Sequence, residues 1–243
     1  MINSVRNTVL AIINKNNYGY ISPSDFNLFA KQAQLDLFDE YFIRYNTQIN
    51  EENARLSGTG YADIKKGYEE VIDTFSVTSF LTQKTQNVFY LPSQSTTGSD
   101  YYLLNKVLCF SGGTLKGEAE KVTHSKITML NSSLLTSPST LFPAYTQEAD
   151  EITIFPNTFS GVNDVQAQYI RYPRDPNWTF VNITGGDPVF DQTQLDYQNF
   201  ELPEDMYTDL VLKILQYAGV SIRELDVVNY ASTQETLNNQ TEA

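Results

Sequence analysis

The feature that most constrains the fold is a change in hydrophobic period near residue 76. Up to that point the apolar residues recur at helical spacing. Val5, Val9, Ile12 and Ile13 fall on one side of a helix over 3–15, with Ser4 able to cap it. Asn16-Asn17-Tyr18-Gly19 interrupts the pattern. Ser22-Pro23-Ser24-Asp25 then reads as a helix start, with Ser22 at the cap and Pro23 in the first turn. Phe26, Ala30, Ala33, Leu37, Tyr41 and Tyr45 make the stripe of that second helix, which runs to about residue 46, with an extension into Asn53-Ala54-Arg55 left open. After a break at Ser57–Gly60, Tyr61, Ile64, Tyr68, Val71, Ile72 and Phe75 form the stripe of a third.

Beyond residue 76 the pattern is strand-like. Val77, Ser79 and Leu81 alternate with polar neighbours. Val88–Leu91, Tyr101–Leu104, Val107–Phe110, Ile152–Phe155 and Val165–Tyr172 are short runs of β-formers between Gly, Pro, Ser and Asn clusters. Gly112-Gly113 reads as a turn, and 131–140 as a loop reaching outward. Helical spacing returns at about 204–217 and 224–237. This order predicts an α+β fold: N- and C-terminal helices packed together as a layer, with a central, mainly antiparallel β region projecting from it. The parts are 1–75, 76–200 and 201–243, the two helical parts forming one domain.

Charge and composition narrow the function. The 243 residues carry 16 basic against 29 acidic groups, a net charge of −13. Residues 201–243 hold only Lys213 and Arg223 against eight carboxylates, from Glu201 to Glu242. Binding nucleic acid by phosphate neutralisation needs clustered Lys and Arg, so that function is disfavoured. No apolar run approaches the ~20 residues of a membrane span. The stretch after Arg6 is too short and too interrupted to read as a secretory leader. The single cysteine, Cys109, excludes an internal disulfide and suits a cytoplasmic site of synthesis.

The residues that could carry chemistry do not converge. Asn14–Asp25 has the frame of an EF-hand loop, with Gly19 sixth, Ile21 eighth and Asp25 twelfth. Its ligand places hold neutral Asn and Tyr, and one carboxylate is too little charge for calcium. Asp25 reads better as a helix cap. His124, the only histidine, lies in an expected surface turn or strand edge with no nucleophile elbow nearby. One His and one Cys cannot make a zinc site. Glu148–Glu151 and Glu201–Asp205 read as solvated loop charges, the second group favoured by a helix N-terminus. Gly112-Gly113 and Gly185-Gly186 lack the length and ending of a phosphate loop. No catalytic residue, metal or cofactor is expected. Tyr169, Tyr172, Trp178 and Phe180 read as core or interface rather than as a stacking platform for a ligand.

Residues 150–230 resemble the phage head-to-tail connector, or adaptor ring, proteins of short-tailed crAss-like bacteriophages. The residues that carry the resemblance are Ile154-Phe-Pro156, Tyr169-Ile-Arg-Tyr-Pro-Arg-Asp-Pro-Asn-Trp178, Phe200-Glu-Leu-Pro203 and Ala218-Gly-Val-Ser-Ile-Arg223. More weakly, Phe26-Asn-Leu-Phe-Ala-Lys-Gln-Ala33 is similar to that family's first long helix. The resemblance implies a non-enzymatic virion protein in a ring of about twelve copies between portal and tail. Its partners would be its own copies, the portal and neighbouring ring or tail proteins, and DNA would pass through without specific binding. It would assemble in the host cytoplasm and reside on the portal–tail axis of the virion. Tyr172, Trp178, Tyr230 and Leu237 are the expected interface residues. The alternative reading is a carbohydrate-binding module, using Trp178 and Tyr172, or another non-enzymatic binding protein. A third, an acidic hydrolase, would need its carboxylates in one cleft.

Overall fold

The computed structural model of the chain describes residues 1–14, 21–54, 69–97, 100–182, 186–222 and 233–234. In chain order the elements are α1 (Ile2–Asn14), α2 (Pro23–Ala54), β1 (Ser76–Phe80), β2 (Thr82–Thr85), β3 (Val88–Tyr90) and α3 (Gln94–Thr97). There follow β4 (Tyr101–Ser111), β5 (Thr114–Glu118), β6 (Glu120–Lys121), α4 (His124–Asn131), β7 (Ala144–Glu148) and β8 (Glu151–Phe155). The chain continues through β9 (Val165–Arg171), β10 (Phe180–Val181), β11 (Val189–Phe190), a 3-10 turn (Glu204–Met206) and α5 (Tyr207–Ile222). Residues 69–74 are also helical. The fold is α+β, with N- and C-terminal helices and central, mostly antiparallel sheets. Two compact units divide it: Met1–Val71 with Pro173–Ala243, and Ile72–Tyr172.

In the helical unit, α5 packs against both α1 and α2. Helix α1 buries Ile2, Val5, Val9 and Ile13, a spacing of three or four residues that keeps them on one face. Ile12, expected on that stripe, lies one residue off it and is exposed. Helix α2 starts as its sequence dictates. The Asp25 N–H donates to Ser22 Oγ at 3.1 Å, and Ser22 Oγ–H donates to Asp25 Oδ2 at 2.6 Å. Its buried face holds Phe26, Ala30, Ala33, Leu37, Phe38 and Phe42. Tyr41 and Tyr45 of the expected stripe are only half-buried. The Tyr45 hydroxyl reaches Glu69 instead, at 3.3 Å. Helix α5 contributes Leu210, Ile214, Leu215 and Ala218, all fully buried. Tyr217 is half-buried, and its hydroxyl donates to Asp36. Of the third expected helix, Tyr61, Ile64 and Tyr68 lie outside the described residues, as do the Asn16–Gly19 and Ser57–Gly60 breaks and, except for residues 233–234, the helix at 224–237.

The β unit has two sheets around one core. One sheet runs β1-β9-β4-β5 and the other β2-β3-β8-β7-β6. Phe89, Leu91, Ile152 and Ile154 from the second meet Val107, Cys109, Val165, Ala167 and Tyr169 from the first. Alternation sets which side chains face in: β8 buries Ile152 and Ile154, and β9 buries Val165, Ala167 and Tyr169. The chain crosses between the sheets four times, and two of these crossings are made at a single residue, Leu81 between β1 and β2 and Ala119 between β5 and β6. Both crossing residues are buried in the shared core. Consequently β1 and β2 mark one end of the unit, and β5 and β6 the other. Gly112 and Gly113 turn β4 into β5 with φ of 59° and 77°, the positive pair that a two-residue hairpin turn demands.

Leu37 and Ile214 are 2% and 0% exposed. Replacing either with Ala should destabilise the protein by about 2–4 kcal/mol, the usual cost of an unfilled aliphatic site. Urea unfolding followed by circular dichroism checks this; near-zero effects at both would show that the helix faces are wrongly assigned.

Candidate interaction surface

The groups that could do chemistry are scattered. His124 opens α4 rather than sitting in a turn or strand edge, and its Nε2 lies 3.3 Å from Glu148 Oε1 in an exposed pair. The Ile127 N–H donates to the Thr123 carbonyl; this turn, not strand pairing, fixes the histidine's backbone. Among the described residues no three or more of His, Cys, Asp and Glu gather closely enough to hold a metal. Asp25 is engaged with Ser22 as a cap; the centre of the EF-hand-like loop, residues 15–20, lies outside the described residues, as does Gly185. Glu151 pairs with Lys84. Glu201 accepts the Arg174 N–H at 2.8 Å, and Glu204 and Asp205 stand in the turn that leads into α5. Cys109 is fully buried, and burial pushes its thiol up to about 12, with the Asp164 charge adding to the effect.

Trp178, read from the sequence as an interface residue, is 1% exposed. Its indole is a core group of the helical unit, unavailable to another chain or to a sugar. Phe180 and Phe190 stack near it at 5.6 and 5.9 Å between ring centroids. The Arg6 guanidinium lies over it, 3.8 Å from the ring centroid, and the indole N–H donates to Asn3 Oδ1 at 3.1 Å. Tyr172, in the β unit, lies at the surface with its ring edge-on to Tyr102 at 5.1 Å. Tyr230 and Leu237 lie outside the described residues.

Among the described residues, exposed apolar side chains gather at the α4–β7 connection, which includes the outward-reaching loop read from the sequence at 131–140. Helix α4 runs to Asn131, and turns carry the chain on to Pro143. Leu134 is 103% exposed, Leu135 95%, Phe142 79% and Met129 74%, and Leu141 is also exposed. Single exposed apolar residues such as Val162 and Leu195 are ordinary. Four large ones on one connection, with Met129 beside them at the end of α4, are not, since each forgoes about 1.5–3 kcal/mol of burial. The loop is held in shape. The Ser137 N–H donates to the Ser133 carbonyl, and Ser139 and Phe142 exchange backbone bonds at 3.1 and 3.2 Å. It lies across β5 at Gly117, where a Cβ would stand 2.7 Å from the Leu141 carbonyl oxygen. The backbone is thus tied down while the apolar side chains face out.

At the β1/β2 end of the same unit is a groove of about 110 Å³. Phe80, Leu81, Tyr90, Leu91 and Pro92 line it, with hydroxyls from Ser79, Thr82 and Thr97. Its floor is buried (Leu81, Leu91, Pro92) while Phe80 and Tyr90 stand exposed at its rim. The wider hollow beside it, about 320 Å³, shares Tyr90 and Leu91 but adds Asp150 and Glu151. The sequence signal for both surfaces is absence of charge. No Asp, Glu, Lys or Arg occurs between Lys126 and Glu148, or between Lys84 and Asp100, and these are the two longest uncharged runs in the chain. No protein-family model matches the chain, and no curated protein matches it significantly. No described helix is long and apolar enough to cross a membrane.

Cys109 should react with Ellman's reagent only on the timescale of opening, because the thiol is both buried and protonated. Its folded pKa lies above the ordinary 9.0, so the associated stability is fully present below about pH 8.5. It is lost as pH rises from there through about 12, since the unfolded chain gives up the proton first. Cys109→Ala should flatten that alkaline slope in urea titrations; rapid labelling of the native protein would contradict the burial. Calcium titration by calorimetry should give no binding tighter than about 10 µM. Tighter binding, abolished by Asp25→Ala, would restore the EF-hand reading.

Proposed function

We propose that this chain is a structural, non-enzymatic virion subunit that forms a ring in the head–tail connector of a short-tailed bacteriophage, below the portal. The ring serves as a conduit through which DNA passes. The observation that carries the reading is the pair of uncharged apolar surfaces on an acidic chain. Side chains such as Leu134 and Phe142 gain by being covered, and a ring subunit covers them by contact with its neighbours. The resemblance over residues 150–230 supplies the kind of assembly. A net charge of −13 fits a channel that repels phosphate and lets DNA slide, where Lys and Arg would grip it. The glycan-binding alternative loses one of its two aromatics, because Trp178 is enclosed.

The test is native mass spectrometry of the full chain, alone and with its portal protein. An assembly of about twelve copies is expected. A chain that stays monomeric with its portal present, or a particle reconstruction that places it off the portal–tail axis, would refute the reading.

A further inference from the structure

Building on the connector-ring reading, we infer that the contact closing the ring is heterologous. The 132–142 loop of one copy seats on the groove between Phe80 and Pro92 of a second copy of this chain. The two surfaces lie at opposite ends of one rigid unit. The groove is made where β1 passes into β2, and the loop crosses β5 and is bonded into β6, with the Glu120 N–H donating to the Pro143 carbonyl at 3.0 Å. Sheet order places β1 and β5 on the two edges of one sheet, and β2 and β6 on the two edges of the other. Adjacent strands lie 4.7–4.9 Å apart, so the ends of even the four-stranded sheet are about 14 Å apart. The loop's apolar side chains therefore cannot fill their own copy's groove across the sandwich; another copy's can. A knob at one end and a hole at the other join head to tail, the relation that repeats around a ring rather than stopping at a dimer.

Charge selects a second copy as the occupant. Two copies of a −13 chain repel over most of their surfaces. The loop and the inner groove wall belong to the two longest uncharged runs of the sequence, so bringing them together juxtaposes no like charges. A basic partner would find carboxylates only beyond the rim at Tyr90, where Asp150 and Glu151 lie and Glu151 already pairs with Lys84. The chemistry also matches: Leu134, Leu135 and Phe142 are apolar knobs, and Leu81, Leu91 and Pro92 give an apolar floor beneath an aromatic rim. Salt, which screens repulsion between the acidic remainders, should strengthen the contact.

The experiment uses the full chain in three forms: wild type, Leu134→Ser with Leu135→Ser, and Phe80→Glu. All three changes fall on exposed side chains, and unaltered thermal melts confirm folding. Sedimentation velocity, with and without portal protein, should show ring-sized wild type and monomeric variants. An equimolar mixture of the two variants should give a one-to-one dimer and nothing larger, because only one intact loop and one intact groove can meet. If either variant assembles to wild-type size, the contact lies elsewhere and this inference falls while the ring reading stands. If wild type is monomeric even with portal, both fall. Wild type that stays monomeric but floats with phosphatidylcholine–phosphatidylserine vesicles, through Leu134 and Leu135, would make the loop lipid-facing and overturn the inference.

Discussion

The helical unit depends on how the irregular return segment, residues 173–203, is held against α1 and α2. Among its described residues that segment has one isolated bridge, Asn177 to Gln198, and the short β10–β11 pair. It therefore cannot satisfy its backbone by ladder bonds alone, and buried unsatisfied groups are costly. Side-chain amides on the helices supply the partners. Asn27 accepts the Trp178 N–H at 2.9 Å and donates to the Trp178 carbonyl at 3.2 Å. Gln34, 1% exposed, donates to the Arg174 carbonyl and accepts the Glu201 N–H. Asn199 returns the favour, accepting the Ile2 N–H that starts α1. With both sides of the segment fixed, Trp178 packs against Phe180 and Phe190 while Arg6 covers its face. A cation over an indole contributes about 0.5–2 kcal/mol, and the ring's burial a good deal more.

The β unit relies on a different constraint. Its two sheets are not joined by loops alone, because the chain crosses from one to the other at a buried residue at each end. Leu81 and Ala119 are therefore both core residues and corners. Slipping β8 by one residue would turn Ile152 and Ile154 to solvent together, and slipping β9 would do the same to Val165 and Ala167. The strand order places the exposed loop and the groove at opposite edges of the two sheets.

Much of this was legible in the sequence, and the gaps have physical causes. The change of period near residue 76 located the β unit's start, and Ser22–Asp25 located a capped helix, because both are local signals. The glycine pair at 112–113 was legible because its backbone conformation excludes most other residues. Strand β5 was not, since Thr114-Leu-Lys-Gly-Glu118 is an edge strand with one apolar residue and little to bury. Strand β7, Ala144–Glu148, was hidden because a run buried at Ala144, Tyr145 and Thr146 does not alternate. Tyr101–Leu104 and Val107–Phe110 looked separate, yet they are one strand, interrupted by register shifts against β9. Trp178 was misread because flanking prolines and aromatics mark an exposed turn and a buried one alike. The difference lies in Asn3, Asn27 and Arg6, some 150 to 175 positions away. The outward reach of the loop at 131–140 was legible, but its apolar face was not: exposed leucines carry no periodicity, and only their exposure reveals that they lack a partner among the described residues.

The division of the helical unit across the sequence has a consequence in time. Helices α1 and α2 are made first, but the groups that complete them are made last: Trp178, Asn199 and Tyr207, whose hydroxyl donates to the Ser4 carbonyl. At about 5–20 residues per second, the ribosome takes on the order of ten seconds to make what lies between. The β unit, contiguous from Ile72 to Tyr172, is whole well before then. During that interval the apolar stripes of the first two helices lack α5, which packs against both. A nascent subunit of this kind would be a client for a holding chaperone at its N-terminus, although its first residues emerge earliest.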